Sequence, residues 1–252
     1  MTRKLDKIWE AYEYQNATGN KYFITIKLLL KRRKIKDALA EAEKGISFQY
    51  ERGEELRALH FLGLKSIIQI LQQDLNGANI SFKQVEEIIS KKGRVSTYYI
   101  ISYFMGRLLF DLNLLEKAIH SETRVTISKQ KKKAYASAKK ALKTANKCSL
   151  DKTEALKLMG TFFWLINKQK KALKYWQDSI YVGKKIGSSV ELSRTYFEVG
   201  KRLFEQKSTF DQLNKIKRKD YLLKARSAFQ TMNLQQDLQE LNRFADSGNI
   251  EL

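Results

Sequence analysis

The chain has 252 residues, enough for one large domain or two small ones, and its 48 Lys and Arg against 27 Asp and Glu leave a net charge of +21. A 43% hydrophobic share with 11% aromatics excludes a disordered basic tail, and one Cys with two His exclude a disulfide framework or a four-ligand Cys/His zinc cluster. Proline is absent, which argues against a loop-rich or all-β chain and for a stack of long helices.

Residues 1–7 have the positive start of a signal peptide, but no apolar stretch follows, so the expected location is the cytoplasm. Leu5, Ile8, Trp9 and Tyr12 then fall on one face of a leading helix, placed at residues 1–18. Helical periodicity continues almost to the end, and no run shows the two-residue alternation of a strand. Breaks are expected near residues 16–20, 51–53, 76–79, 91–94, 149–151 and 187–189. Capping boxes mark three starts: Ser81 with Gln84, Asp151 with Glu154, and Ser188 with Glu191. In each, the first side chain accepts from a backbone N–H that has no helical partner. The greasiest stretch, residues 98–110, is about half a membrane span long. It is interrupted by Ser102, Gly106 and Arg107, so no transmembrane segment is expected.

A repeat emerges when the chain is aligned on Leu156, Met159, Gly160, Phe163, Ala172, Trp176 and Ser179. The small residues let two antiparallel helices approach closely, and the large ones fill the holes between them. The pattern returns as Tyr196, Val199, Gly200 and Leu203, followed by Ala225, Phe229 and Met232. Upstream it appears as Leu59, Leu62 and Gly63, then as Met105, Gly106 and Leu109 with Ala138, Leu142 and Ala145. Tyr22, Thr25, Ile26 and Leu29, with Ala38 and Ala42, fit more loosely.

On these residues the chain resembles the tetratricopeptide repeat superfamily over roughly residues 19–246. The resemblance implies an all-α superhelix of about five helix pairs over residues 19–252, with insertions near 113–130 and 207–219. The last third, residues 172–180, 191–203 and 221–238, is similar to the C-terminal helical tails of multidomain signalling proteins. Such proteins carry class III nucleotide cyclase, protein kinase-like or AAA/STAND-type ATPase modules at their N-terminal ends. A regulatory or assembly segment is what that likeness implies.

Catalytic signals are missing where they should be easy to see. Residues 183–188 hold glycines and lysines without the Gly-Lys-Ser order of a phosphate loop. His60 and His120 have no Cys or Ser partner motif, Cys148 reads as an inert thiol, and Glu54-Glu55 and Glu86-Glu87 point different ways on a helix. No enzyme and no cofactor are expected. Trp164, Trp176, Tyr175, Phe162 and Phe163 read as packing between paired helices, with a stacking platform for bases as the alternative.

Charge is what exceeds an ordinary repeat protein. Basic runs occur at residues 31–34, 129–133, 168–171 and 215–219. They read either as solvated helix ends or as a footprint for acidic peptides, nucleic acid or an anionic membrane surface. By resemblance, a partner lies on the concave side lined by the first helix of each pair. The matching positions are Arg57, His60, Tyr103, Arg107, Lys157, Trp164, Arg194, Phe197 and Lys201. Lys157 and Arg194 also match two positions of the family's grip on a peptide carboxylate, but Thr161 stands where that grip has Asn. The leading expectation is a non-catalytic scaffold for acidic or extended peptides, and the alternative is a nucleic-acid-binding repeat.

Overall fold

The computed structural model describes residues 2–121 and 123–252, with side chains from residue 16 onward. The apolar stripe expected from Leu5, Ile8, Trp9 and Tyr12 lies outside the described side chains. Among the described residues the fold is all-α, with helices α1 (Thr2–Lys31), α2 (Ile35–Glu51), α3 (Glu55–Leu71), α4 (Leu75–Lys92), α5 (Thr97–Ser121) and α6 (Arg124–Ala145). A short 3-10 turn at Ser149–Asp151 leads to α7 (Lys152–Leu165), α8 (Gln169–Ile186) and α9 (Ser189–Phe204). A two-stranded hairpin, β1 (Gln212–Leu213) and β2 (Ile216–Lys217), precedes α10 (Arg218–Thr231) and α11 (Gln235–Ser247). Within the chain α1 packs on α2, α3 on α4, α7 on α8 and α9 on α10, with α11 against α10. No helix among the described residues is long and apolar enough to cross a membrane.

One turn geometry joins most of these helices. At Arg33, Gly53, Gln73, Asn167, Gly187 and Asn233 the backbone is left-handed. The next residue's N–H then bonds a carbonyl five positions back, as in Lys34 to Leu29, Asp74 to Gln69 and Lys168 to Phe163. This closes the helix end by satisfying a carbonyl that has no partner within the helix. It also returns the chain antiparallel within two or three residues, so each helix lies against the one before it.

The chain divides into two compact units, Met1–Gly106 and Arg107–Leu252. In the first, α1, α2 and α3 bury Ile26, Ala38, Ala42, Phe61, Leu64 and Ile68 together. In the second, α7 and α8 pack through Ala172, Trp176 and Ser179, all fully buried. There α9, α10 and α11 enclose Phe197, Leu222, Ala225, Phe229, Leu234 and Leu241. The repeat's small and large positions are therefore at the helix contacts where the alignment put them.

Several local expectations are corrected. No break occurs at residues 16–20: α1 runs through them, so residues 1–18 are not a separate leading helix. The break expected at residues 76–79 falls a turn earlier, because Asp74 caps α4 by accepting from the N–H of Gly77 at 2.8 Å. Ser81 is not a cap; it is buried inside α4, 2.7 Å from the Gln69 side chain. Ser188 does precede α9, and its hydroxyl donates to the Glu191 carboxylate at 2.6 Å. Of the stretch 113–130, residues 113–121 and 124–130 are helical, in α5 and α6. Residues 212–217 form a hairpin that the search for alternation missed, because each strand is only two residues long. The buried Tyr221 hydroxyl ties it down by donating to the Leu213 carbonyl at 2.9 Å.

Candidate partner-binding surfaces

In the first unit, Arg57 and His60 come from α3 and Tyr103 from α5. Arg57 is half-buried; its guanidinium donates to the Asn16 side-chain oxygen and lies 3.8 Å from Glu54. His60 is buried within a ring of Phe23, Tyr98 and Tyr99, with centroids 4.8, 4.4 and 5.1 Å away. Neither imidazole nitrogen has a hydrogen-bond partner among the described residues. Burial, with help from the Lys27 charge, lowers its pKa to about 4, so the ring is neutral at physiological pH. Arg57 and His60 border one cavity of about 220 Å³ together with Gln49. Tyr103 is buried and donates instead to Glu86 of α4 at 2.7 Å.

In the second unit most of the expected groove residues are occupied internally. Trp164 is fully buried, and its indole N–H donates to Glu205 at 2.8 Å. Phe197 is buried against Phe229 and Phe244. Arg194 grips Asp237 of α11 with two parallel bonds of 2.9 Å, and that carboxylate is 1% exposed. Lys157 pairs with Glu154 at 2.9 Å. Arg107 lies over the Phe110 ring, 5.9 Å from its centroid. Where the family's carboxylate grip has Asn, the Thr161 hydroxyl already donates to an internal acid, Glu198, at 2.8 Å. Lys201 is half-buried, and its charge acts on that same carboxylate.

Arg202, which no motif singled out, is the centre of this arrangement. It is buried and bonds Glu198 at 2.9 Å, Glu205 at 2.7 Å and Glu116 at 3.0 Å. Burial would raise the Glu198 pKa. The charges of Arg202 and Lys201, with the hydrogen bonds from Arg202 and Thr161, instead hold it at about 2. Glu205 is likewise lowered despite its burial, chiefly by the Trp164 N–H and Arg202. The only sequence cue was spacing: Glu198, Arg202 and Glu205 stand four and three residues apart, on one helical face.

The basic runs behave differently. Residues 129–133 lie on α6, and residues 168–171 form the start of α8. Lys131 and Lys132 of the first run and Lys168 and Lys171 of the second border one pocket of about 360 Å³. Its remaining lining is Tyr135, Phe162, Phe163 and Ile166, with Ser128 at the rim, and no carboxylate among the described residues. The pocket can take a negatively charged group against its lysines and an apolar group against its rings.

No family model and no curated protein matches the chain. Among solved structures it is similar to a Signal Transduction ATPase with Numerous Domains (STAND) protein with a tetratricopeptide repeat sensor, from Pyrococcus horikoshii. The superposition has a TM-score of 0.57 at 14% identity and covers 94% of this chain and 38% of that one. The chain thus spans little more than a third of that protein's length, and at this identity the likeness concerns the fold alone. The fold is an all-α, tetratricopeptide-like helical repeat.

Proposed function

We propose that this chain is a non-catalytic, tetratricopeptide-like interaction module that binds an acidic, extended segment of a protein partner in the cytoplasm. The reading extends to a regulatory role beside an ATPase or cyclase module of a larger signalling protein. One observation carries it: two lysine runs far apart in sequence border the same aromatic pocket, whose described lining residues include no acid. The groove cations Arg194 and Lys157, by contrast, have carboxylate partners within the chain. A cation already matched by a buried acid adds little attraction for a ligand, whereas clustered lysines over an apolar wall attract anions.

The test compares two variants with the same change of charge. Lys131, Lys132, Lys168 and Lys171→Gln should abolish binding of a labelled glutamate-rich peptide. Lys215, Lys217, Lys219 and Lys224→Gln, on exposed positions of the hairpin and α10, should retain it. Equal loss in both would leave only a net-charge effect and overturn the site. A single-stranded oligonucleotide binding more tightly than the peptide would favour the nucleic-acid reading, which the lysines and nearby rings also suit. With ATP and magnesium the chain should release no phosphate, since its sequence lacks a phosphate loop.

A further inference from the structure

We infer that the lysine-rimmed pocket selects an acidic peptide by one large apolar side chain, an aromatic ring above all, with acidic residues on both sides of it. This deepens the docking reading and rests on it. The two basic walls come from different elements: Lys131 and Lys132 from α6, Lys168 and Lys171 from the start of α8. The dipole of α8 adds positive potential at that end. A peptide crossing between the walls meets cations before and after the pocket, so charge complementarity calls for acids on either side of whatever enters it. A volume of about 360 Å³ is of the size that holds a ring and part of its backbone; cavities of about 150 Å³ admit benzene.

The rings favour an inserted side chain over a stacked base. Tyr135 stacks on Phe162 at 5.5 Å and 23°, and the Lys139 ammonium lies 5.6 Å from its centroid. Phe163 stacks on Tyr175 at 5.3 Å and 9°, with the Lys171 ammonium 5.6 Å from its centroid. Tyr135 and Phe163 thus each have an aromatic and a cationic neighbour already, which leaves edges and the Ile166 side chain for a ligand. Edge contacts suit an entering aromatic side chain. Among the described lining residues, Ser128 is the one hydroxyl that is not part of a ring, so little is present to read the edge of a nucleobase.

The experiment uses the full chain and fluorescence anisotropy at about 100 mM salt. The probes are a short glutamate-rich peptide with a central Trp, the same peptide with a central Ala, and an oligothymidine of equal charge. The Trp peptide should bind about tenfold or more tightly than the Ala peptide, as expected for burying a large apolar side chain. Ser128→Trp, at an exposed rim position, should fill the pocket and erase that difference without changing the helical circular dichroism. The fourfold Lys→Gln variant of the pocket should weaken both peptides alike. If Trp and Ala peptides bind equally and both are lost in the Lys→Gln variant, the anchor is wrong and the docking surface stands. If neither peptide binds, or oligothymidine binds more tightly than both, the docking reading falls and the anchor with it.

Discussion

A β-carbon on Gly160 would lie 2.4 Å from the Cδ1 and Nε1 atoms of Trp176, a ring that is itself fully buried. Glycine is required there because α7 and α8 approach until only a hydrogen fits between them. Gly160→Leu should therefore overpack the contact and cost roughly 1–3 kcal/mol in urea unfolding. An unchanged midpoint would refute the repeat register. His60 makes a second prediction at this scale. Its folded pKa of about 4 lies below the usual 6.5, so between those values the unfolded chain takes up a proton that the folded chain refuses. Its contribution is unaffected at neutral pH, and stability falls as pH drops through that window, by on the order of 3 kcal/mol. Among the described residues, Lys27, Arg57 and the rings of Phe23, Tyr98 and Tyr99 surround it, and none of these is a carboxylate. His60→Phe should match the parent at pH 7, because the lost nitrogens had no partners. It should become progressively more stable than the parent towards pH 4, as read in parallel denaturation series.

Between elements, α9 is tied by buried polar contacts to three other helices. Arg202 joins it to Glu116 of α5, Glu198 joins it to Thr161 of α7, and Arg194 joins it to Asp237 of α11. Removing one partner of such a buried set costs more than the set itself contributes. Arg202→Met should therefore destabilise the chain by roughly 3–5 kcal/mol, by leaving Glu198 buried without its cation. Adding Glu198→Gln to that variant should restore part of the loss in thermal unfolding, a coupling that independent sites would not show. The pH dependence has the same sign as that of His60 but the opposite cause, since here paired cations favour the charged form. Glu198 has a depressed folded pKa of about 2, so its contribution is full above its unfolded value of about 4.3 and is lost as pH falls towards 2. Glu198→Gln alone should flatten the acid limb of stability in that range.

At the scale of the whole molecule, a net charge of +21 works against compaction through self-repulsion. The Debye length shortens from about 30 Å at 0.01 M salt to about 8 Å at 0.15 M. The melting temperature should therefore rise over that interval, while buried pairs such as Arg194 with Asp237 are screened far less. A melting temperature that falls with salt would mean that exposed ion pairs outweigh the repulsion. Over the same interval, binding of an acidic ligand should weaken, so salt separates the two roles of this charge.

The repeat was legible in the sequence because it is set locally. Small residues such as Ala38, Ala172 and Ala225 and large ones such as Trp176 and Phe229 recur at helical spacing, and each is fully buried. Packing two helices at close range leaves few alternatives at such positions. Helix continuity was less legible: residues 16–20 contain Gly19 between polar neighbours, yet one glycine costs only about 1 kcal/mol in a helix and did not end α1. The site was the least legible part. Arg194 could be read as a ligand-facing cation until Asp237, 43 residues away, proved to hold it. The runs at 129–133 and 168–171 looked like separate solvated helix ends until α6, α7 and α8 set them around one pocket. Sequence alone determined which residues had to be small, large or buried, since helical period and side-chain volume decide that within each pair. Tertiary structure alone decided which charges were already matched and which came to border one pocket, because charge pairing depends on distances in space that sequence spacing does not contain.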